Sequence, residues 1–165
     1  MDQFYPTYPL VPLPLVIESA VSARIQRYRQ QSLRLLDSAL TEMRSSRWLR
    51  SEELLWGSLT LAVKAVALTR GDEIDGDEAV REYAFRLGQK HRDRRIREAF
   101  KQLSGFSDTV DRVLESHSRL DYLFLILDDI SSAIERLWEL VPAPEQPAPD
   151  SDQMLDEIAR SPDAG

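Results

Sequence analysis

Between Pro14 and Pro142 the chain contains no proline at all, although it has nine in total. That run is rich in Leu, Ala, Arg and Glu. Proline breaks helices by removing an amide donor and clashing with the preceding turn, and these four residues are strong helix formers. Most of the 165 residues are therefore predicted to form helices. The expected fold is an all-α antiparallel bundle of five or six helices over residues 16–141. A proline-rich apolar arm at 1–15 precedes it and a disordered acidic tail at 142–165 follows it. The arm residues Tyr5, Tyr8, Leu10, Val11 and Leu13 are apolar enough to dock on the bundle or on a partner.

Hydropathy patterning gives the elements. Ile17, Val21, Ile25, Tyr28, Leu36, Leu40 and Met43 keep a helical stripe over about 17–47. The segment SEELLWGSLTLAVKAVALTRG at 51–71 is apolar on nearly every side, which predicts a central helix walled in by the others. Ser51 is its expected N-cap, with Glu52 and Glu53 in the first turn, and Gly71 is its expected C′ residue. Leu59 and Val63 should be sealed from solvent. A third helix is expected over about 77–90. A helical segment at 91–103 should end at Ser104-Gly105, followed by helices over about 107–126 and 129–141, the last capped by Asp128 or Asp129. The acidic loop at 71–78 lacks the order of a calcium-binding loop, and reads as the lead-in to a helix.

Several chemistries are excluded. Without cysteine there is no disulfide, thiolate nucleophile or cysteine zinc site. The start has no basic n-region, and the uncharged stretch Leu54–Val63 is too short to span a bilayer, so the expectation is a cytoplasmic protein without membrane contact. No metal ion or cofactor is called for. The net charge is −7, unevenly spread: residues 82–101 carry seven basic and three acidic side chains, whereas 102–165 carry four basic and fourteen acidic. The acidic total disfavours general nucleic-acid binding, and the basic stretch marks a candidate patch of Arg86, Lys90, Arg92, Arg94, Arg95 and Arg97.

Each of the two histidines follows an arginine by five positions, as Arg86…His91 and Arg112…His117. Five residues turn a helix by about 500°, so one helix alone does not aim both groups at one atom. Two facing helices or two subunits would. His91 in its basic run also fits an exposed surface residue. His117 extends the apolar series Val110, Val113, Leu114, Leu120 and Phe124, and so also fits a partly buried core histidine.

Two segments resemble a known family. Glu53-Leu-Leu-Trp56-Gly57, continuing to Ala62-Val-Lys64-Ala65 and closing at Gly71, is similar to the characteristic helix of the paREP-type branch of the HEPN superfamily (higher eukaryotes and prokaryotes nucleotide-binding). Ser116-His117-Ser-Arg-Leu-Asp-Tyr122 is a looser match to its later histidine motif, with Ser where Leu is usual. ISSAIERLWELV resembles the closing helix in character. The resemblance spans about residues 30–141. It implies a helical bundle that pairs as a homodimer and interacts with nucleotide or RNA. It also implies a metal-independent endoribonuclease, of toxin–antitoxin or defence type, in the catalytic members. There the histidine assists attack by a 2′-hydroxyl and the arginine stabilises phosphorane charge; Arg112 and His117 are the matching positions. The alternative class is a non-catalytic helical scaffold or adaptor whose N-terminal arm or C-terminal tail contacts a protein partner.

Overall fold

The computed structural model describes residues 12–116 and 120–142, with the side chains of 12–18 excepted. The arm over 1–11, His117 and the tail from 143 onwards lie outside the described residues. Five helices follow in order: α1 (Pro12–Arg44), α2 (Trp48–Thr69), α3 (Asp77–Lys90), α4 (Arg94–Ser116) and α5 (Leu120–Glu139). No strand occurs among the described residues. The first helix starts at Pro12, earlier than the expected residue 17. Pro12 and Pro14 fit its first turn, where amides have no intrahelical acceptor.

The antiparallel seam between α1 and α2 is built on small residues seven positions apart, Ser32 and Ala39 facing Ser51 and Ser58. Their lack of bulk brings the backbones close, and serine hydroxyls then reach the opposite helix. Ser58 Oγ donates to the Ser32 carbonyl at 2.7 Å, Ser32 Oγ donates to the Ser58 carbonyl at 2.9 Å, and Ser51 Oγ donates to the Ala39 carbonyl at 3.2 Å. Trp138 on α5 completes the knot by donating its indole N–H to Ser32 Oγ at 3.0 Å. Ser51 is therefore not an N-cap: it lies within α2, fully buried, because Trp48 and the turn before it carry the helix one turn further back.

Helix α2 touches all four other helices. Leu59, Ala62, Val63, Ala65 and Val66 are wholly inaccessible, as its all-round apolar sequence requires. Around it, Leu103 and Phe106 of α4 and Leu123, Leu127, Ile130, Ile134 and Leu137 of α5 close the core.

Three corners share one device. The amide of the third residue past each helix reaches back to a carbonyl five residues earlier: Arg47 to Glu42, Asp72 to Ala67 and Asp93 to Gly88. The residue before each donor is left-handed, namely Ser46 (φ 60°), Gly71 (φ 79°) and Arg92 (φ 51°). Gly71 thus terminates α2 as its sequence predicts, and the acids beyond it are tied down: Glu73 pairs with Arg24 and Asp72 accepts from Tyr83.

Ser104-Gly105 does not end a helix. Helix α4 runs straight through both, with Ser104 Oγ donating to the Phe100 carbonyl. Leu103 and Phe106, both fully buried, hold this turn in register. Burying two such side chains contributes several kcal/mol, more than the roughly 1 kcal/mol that Gly costs inside a helix. Nor do Asp128 and Asp129 cap a helix; they sit mid-way along α5, which begins at Leu120.

Candidate functional site

Helix α4 presents a polar stripe to solvent along its seam with α5. Arg94, Glu98, Lys101 or Gln102, Gly105, Thr109 and Arg112 recur at helical spacing on one side, while Ile96, Ala99, Phe100, Leu103 and Phe106 face the core. Three adjoining depressions lie along this stripe. The first, about 490 Å³, sits over the α3–α4 corner between Arg92, Arg95 and Arg136. The second, about 390 Å³, shares Arg94, Glu98 and Gln102 with the first and extends past Lys101 to Tyr122 and Ile126. The third, about 260 Å³, shares Thr109 and Tyr122 with the second and ends at Arg112 and Ser116. Together they form one furrow, about 27 Å long from Arg94 to Arg112 at 1.5 Å per helical residue.

Its charge is opposite to that of the chain. Six basic side chains line it (Arg92, Arg94, Arg95, Lys101, Arg112 and Arg136) against three acidic ones (Asp93, Glu98 and Asp129). The acids are consumed locally. Arg94 holds Glu98 at 3.1 Å, Arg95 holds Asp129 at 3.5 Å, and Arg136 is hydrogen-bonded to Asp93. That leaves Arg92, Lys101 and Arg112, at one end, the middle and the other end of the furrow, without an ion pair among the described residues.

Asp93 fixes the corner. It is nearly buried, caps α4 by accepting the Ile96 amide at 3.1 Å through Oδ1, and accepts from Arg136 through Oδ2. Burial pushes its carboxyl up, but the Arg136 hydrogen bond, the Ile96 amide and the Arg136 charge outweigh burial and hold it below the usual aspartate value. Arg136 is raised in turn by Asp93. Gly88 brings α3 against this corner: a Cβ there would lie 2.4 Å from the Arg97 amide nitrogen. Arg92 occupies the left-handed position that glycine fills most easily.

Of the six basic residues predicted to form a patch, Arg92, Arg94 and Arg95 line the furrow. Arg86, Lys90 and Arg97 do not: Arg86 pairs with Glu82 along α3, and Arg97 sits by Glu98 on another side of α4. The Arg86…His91 pair is not assembled, since His91 Nε2 instead meets an Arg70 guanidinium nitrogen at 3.0 Å. Arg112 is exposed, held by long hydrogen bonds to the Asp108 carbonyl (3.4 Å) and Thr109 Oγ1 (3.5 Å). Its proposed partner His117 lies outside the described residues. The apolar series expected around that histidine is not a core stripe throughout: Val110 and Val113 are buried, but Leu114, Leu120 and Phe124 are exposed. Sequence reasoning missed Lys101, Gln102, Thr109, Tyr122 and Arg136. The first three, with Arg112, keep helical spacing with Arg94, a signal hidden by expecting a break at Gly105.

A second surface lies at the end of the bundle formed by the α1–α2 turn and α4. Leu49 and Leu114 are about half exposed (56% and 48%) and flank a depression of about 350 Å³ beside Trp48, whose ring meets that of Phe124 edge-on at 5.0 Å. Among the described residues no cluster of side chains could hold a metal ion, and no helix is long and apolar enough to cross a membrane. No protein-family model, curated protein or solved structure matches the chain.

Proposed function

We propose that this chain is an RNA-interacting helical module of HEPN type, with single-stranded RNA lying along the α4–α5 furrow. The observation that carries the reading is the row Arg92, Lys101 and Arg112, cations without ion pairs in a furrow with three surplus positive charges on a chain of net −7. A row of positive charge of this length attracts a phosphodiester backbone. Tyr122, 45% exposed in the same furrow, offers a ring on which an unpaired base stacks. In the catalytic form of the reading, His117 takes the 2′-hydroxyl proton and Arg112, whose guanidinium is not committed to a carboxylate, stabilises the phosphorane without a metal.

Fluorescence anisotropy with a labelled oligouridylate tests the binding reading. Neutralising three phosphates gives a salt slope of about −2, or about a 20-fold loss of affinity between 50 and 200 mM salt. Arg92→Ala and Lys101→Ala should weaken binding. A chain that retains no RNA at low salt, even with its acidic tail neutralised, rejects the reading. Cleavage without metal that disappears in both Arg112→Ala and His117→Ala establishes the enzyme.

The exposed Leu49 and Leu114 beside Trp48 favour a second reading, a helical interaction module. A second copy of the chain on this surface gives the expected homodimer, and Leu114→Asp should then leave a monomer in sedimentation.

A further inference from the structure

We propose that the acidic segment after Pro142 docks into the α4–α5 furrow of its own chain and competes there with RNA. The two surfaces are complementary in charge. Residues 143–163 carry six carboxylates and one arginine, and the furrow carries Arg92, Lys101 and Arg112 without ion pairs. They are also adjacent. The described chain ends at Pro142, six residues beyond Arg136, which lines the near end of the furrow. Twenty-one residues reach about 70 Å when extended, against a furrow of about 27 Å. The segment can therefore follow the furrow to its far end with slack to spare. That far end is partly apolar, at Tyr122 and Ile126, which suits Met154, Leu155 and Ile158 among the acids of the segment.

Attachment favours this occupant over a free peptide of the same chemistry, because a tethered ligand acts at about millimolar effective concentration. The docking stands on charge, reach and the apolar match. Its regulatory consequence rests on the RNA reading above: the furrow is masked until RNA, or a partner that removes the segment, displaces it.

One pair of measurements decides both. The chain has no cysteine, so Ser151→Cys provides a unique position for a spin label. In the full chain the label should broaden the amide resonances of Gln102 and Thr109, but not that of Glu53. Broadening should vanish when Glu145, Asp150, Asp152, Asp156 and Glu157 are changed to Gln or Asn. The neutralised chain should bind oligouridylate about tenfold more tightly, the factor for a tethered competitor of about 0.1 mM affinity at about 1 mM effective concentration. Absence of broadening at Gln102 and Thr109 in low salt overturns the docking. If broadening is present and neither chain binds RNA, the docking stands and the RNA reading falls. If broadening is absent and both chains bind RNA equally, the RNA reading stands and the docking falls.

Discussion

The same substitution at two glycines should act in opposite directions. At Gly88 an added Cβ would lie 2.4 Å from the Arg97 nitrogen and 2.5 Å from its Cα, where ordinary contact begins at 3.4 Å. The obstacle is backbone, so no rotamer can move aside. Helices α3 and α4 must separate by about 1 Å, and overpacking of this kind costs about 2–3 kcal/mol. Replacing Gly inside a helix returns about 1 kcal/mol, leaving Gly88→Ala destabilised by about 1–2 kcal/mol. At Gly105 nothing lies within 4 Å of the new methyl. Only the helix gain remains, so Gly105→Ala should be stabilised by about 0.5–1 kcal/mol. Urea denaturation followed by far-UV circular dichroism measures both. At about 2–4 °C per kcal/mol for a domain of this size, the melting temperatures should differ by about 3–12 °C. Equal shifts in the two variants, or a stabilised Gly88→Ala, would refute the close approach of α3 to α4.

Other variants probe other parts of the same frame. Ser32→Ala strips the buried Trp138 indole of its acceptor and should cost about 2 kcal/mol by urea denaturation. Arg92→Gly and Ser46→Gly relieve left-handed backbone at φ 51° and 60° and should each stabilise by about 0.5–1 kcal/mol. Only Arg92→Gly should also weaken RNA binding. Because Asp93 titrates below its unfolded value of about 3.9, its contribution is full above that pH and is lost as pH falls through the lower folded value. Asp93→Asn should therefore flatten the fall in urea midpoint between about pH 5 and pH 2.

Much of this fold is legible in the sequence because its signals are local. The missing prolines, the uncharged stretch Leu54–Val63 of α2, Gly71 and the bounds of α3 at 77–90 each depend on neighbours in the chain. Local signals also misled. Ser51 has the chemistry of an N-cap, yet a carbonyl on α1 uses its hydroxyl. Ser104-Gly105 has the chemistry of a stop, yet Leu103 and Phe106 are anchored on both sides. That single misreading cut α4 in two and hid the furrow, whose polar residues are in phase only along an unbroken helix. Arg136 was invisible for another reason: its partner Asp93 is 43 positions away, and only the α4–α5 hairpin brings them together.

The α1–α2 seam bears on how the chain finds this state. Its partners are joined by a three-residue turn, so pairing them closes a short loop at little entropic cost. The hairpin is thus suited to form before the remaining helices arrive. Because α2 is packed against all four other helices once they do, the central amides of its buried face should be the last to exchange with deuterated solvent, opening only when the whole molecule unfolds.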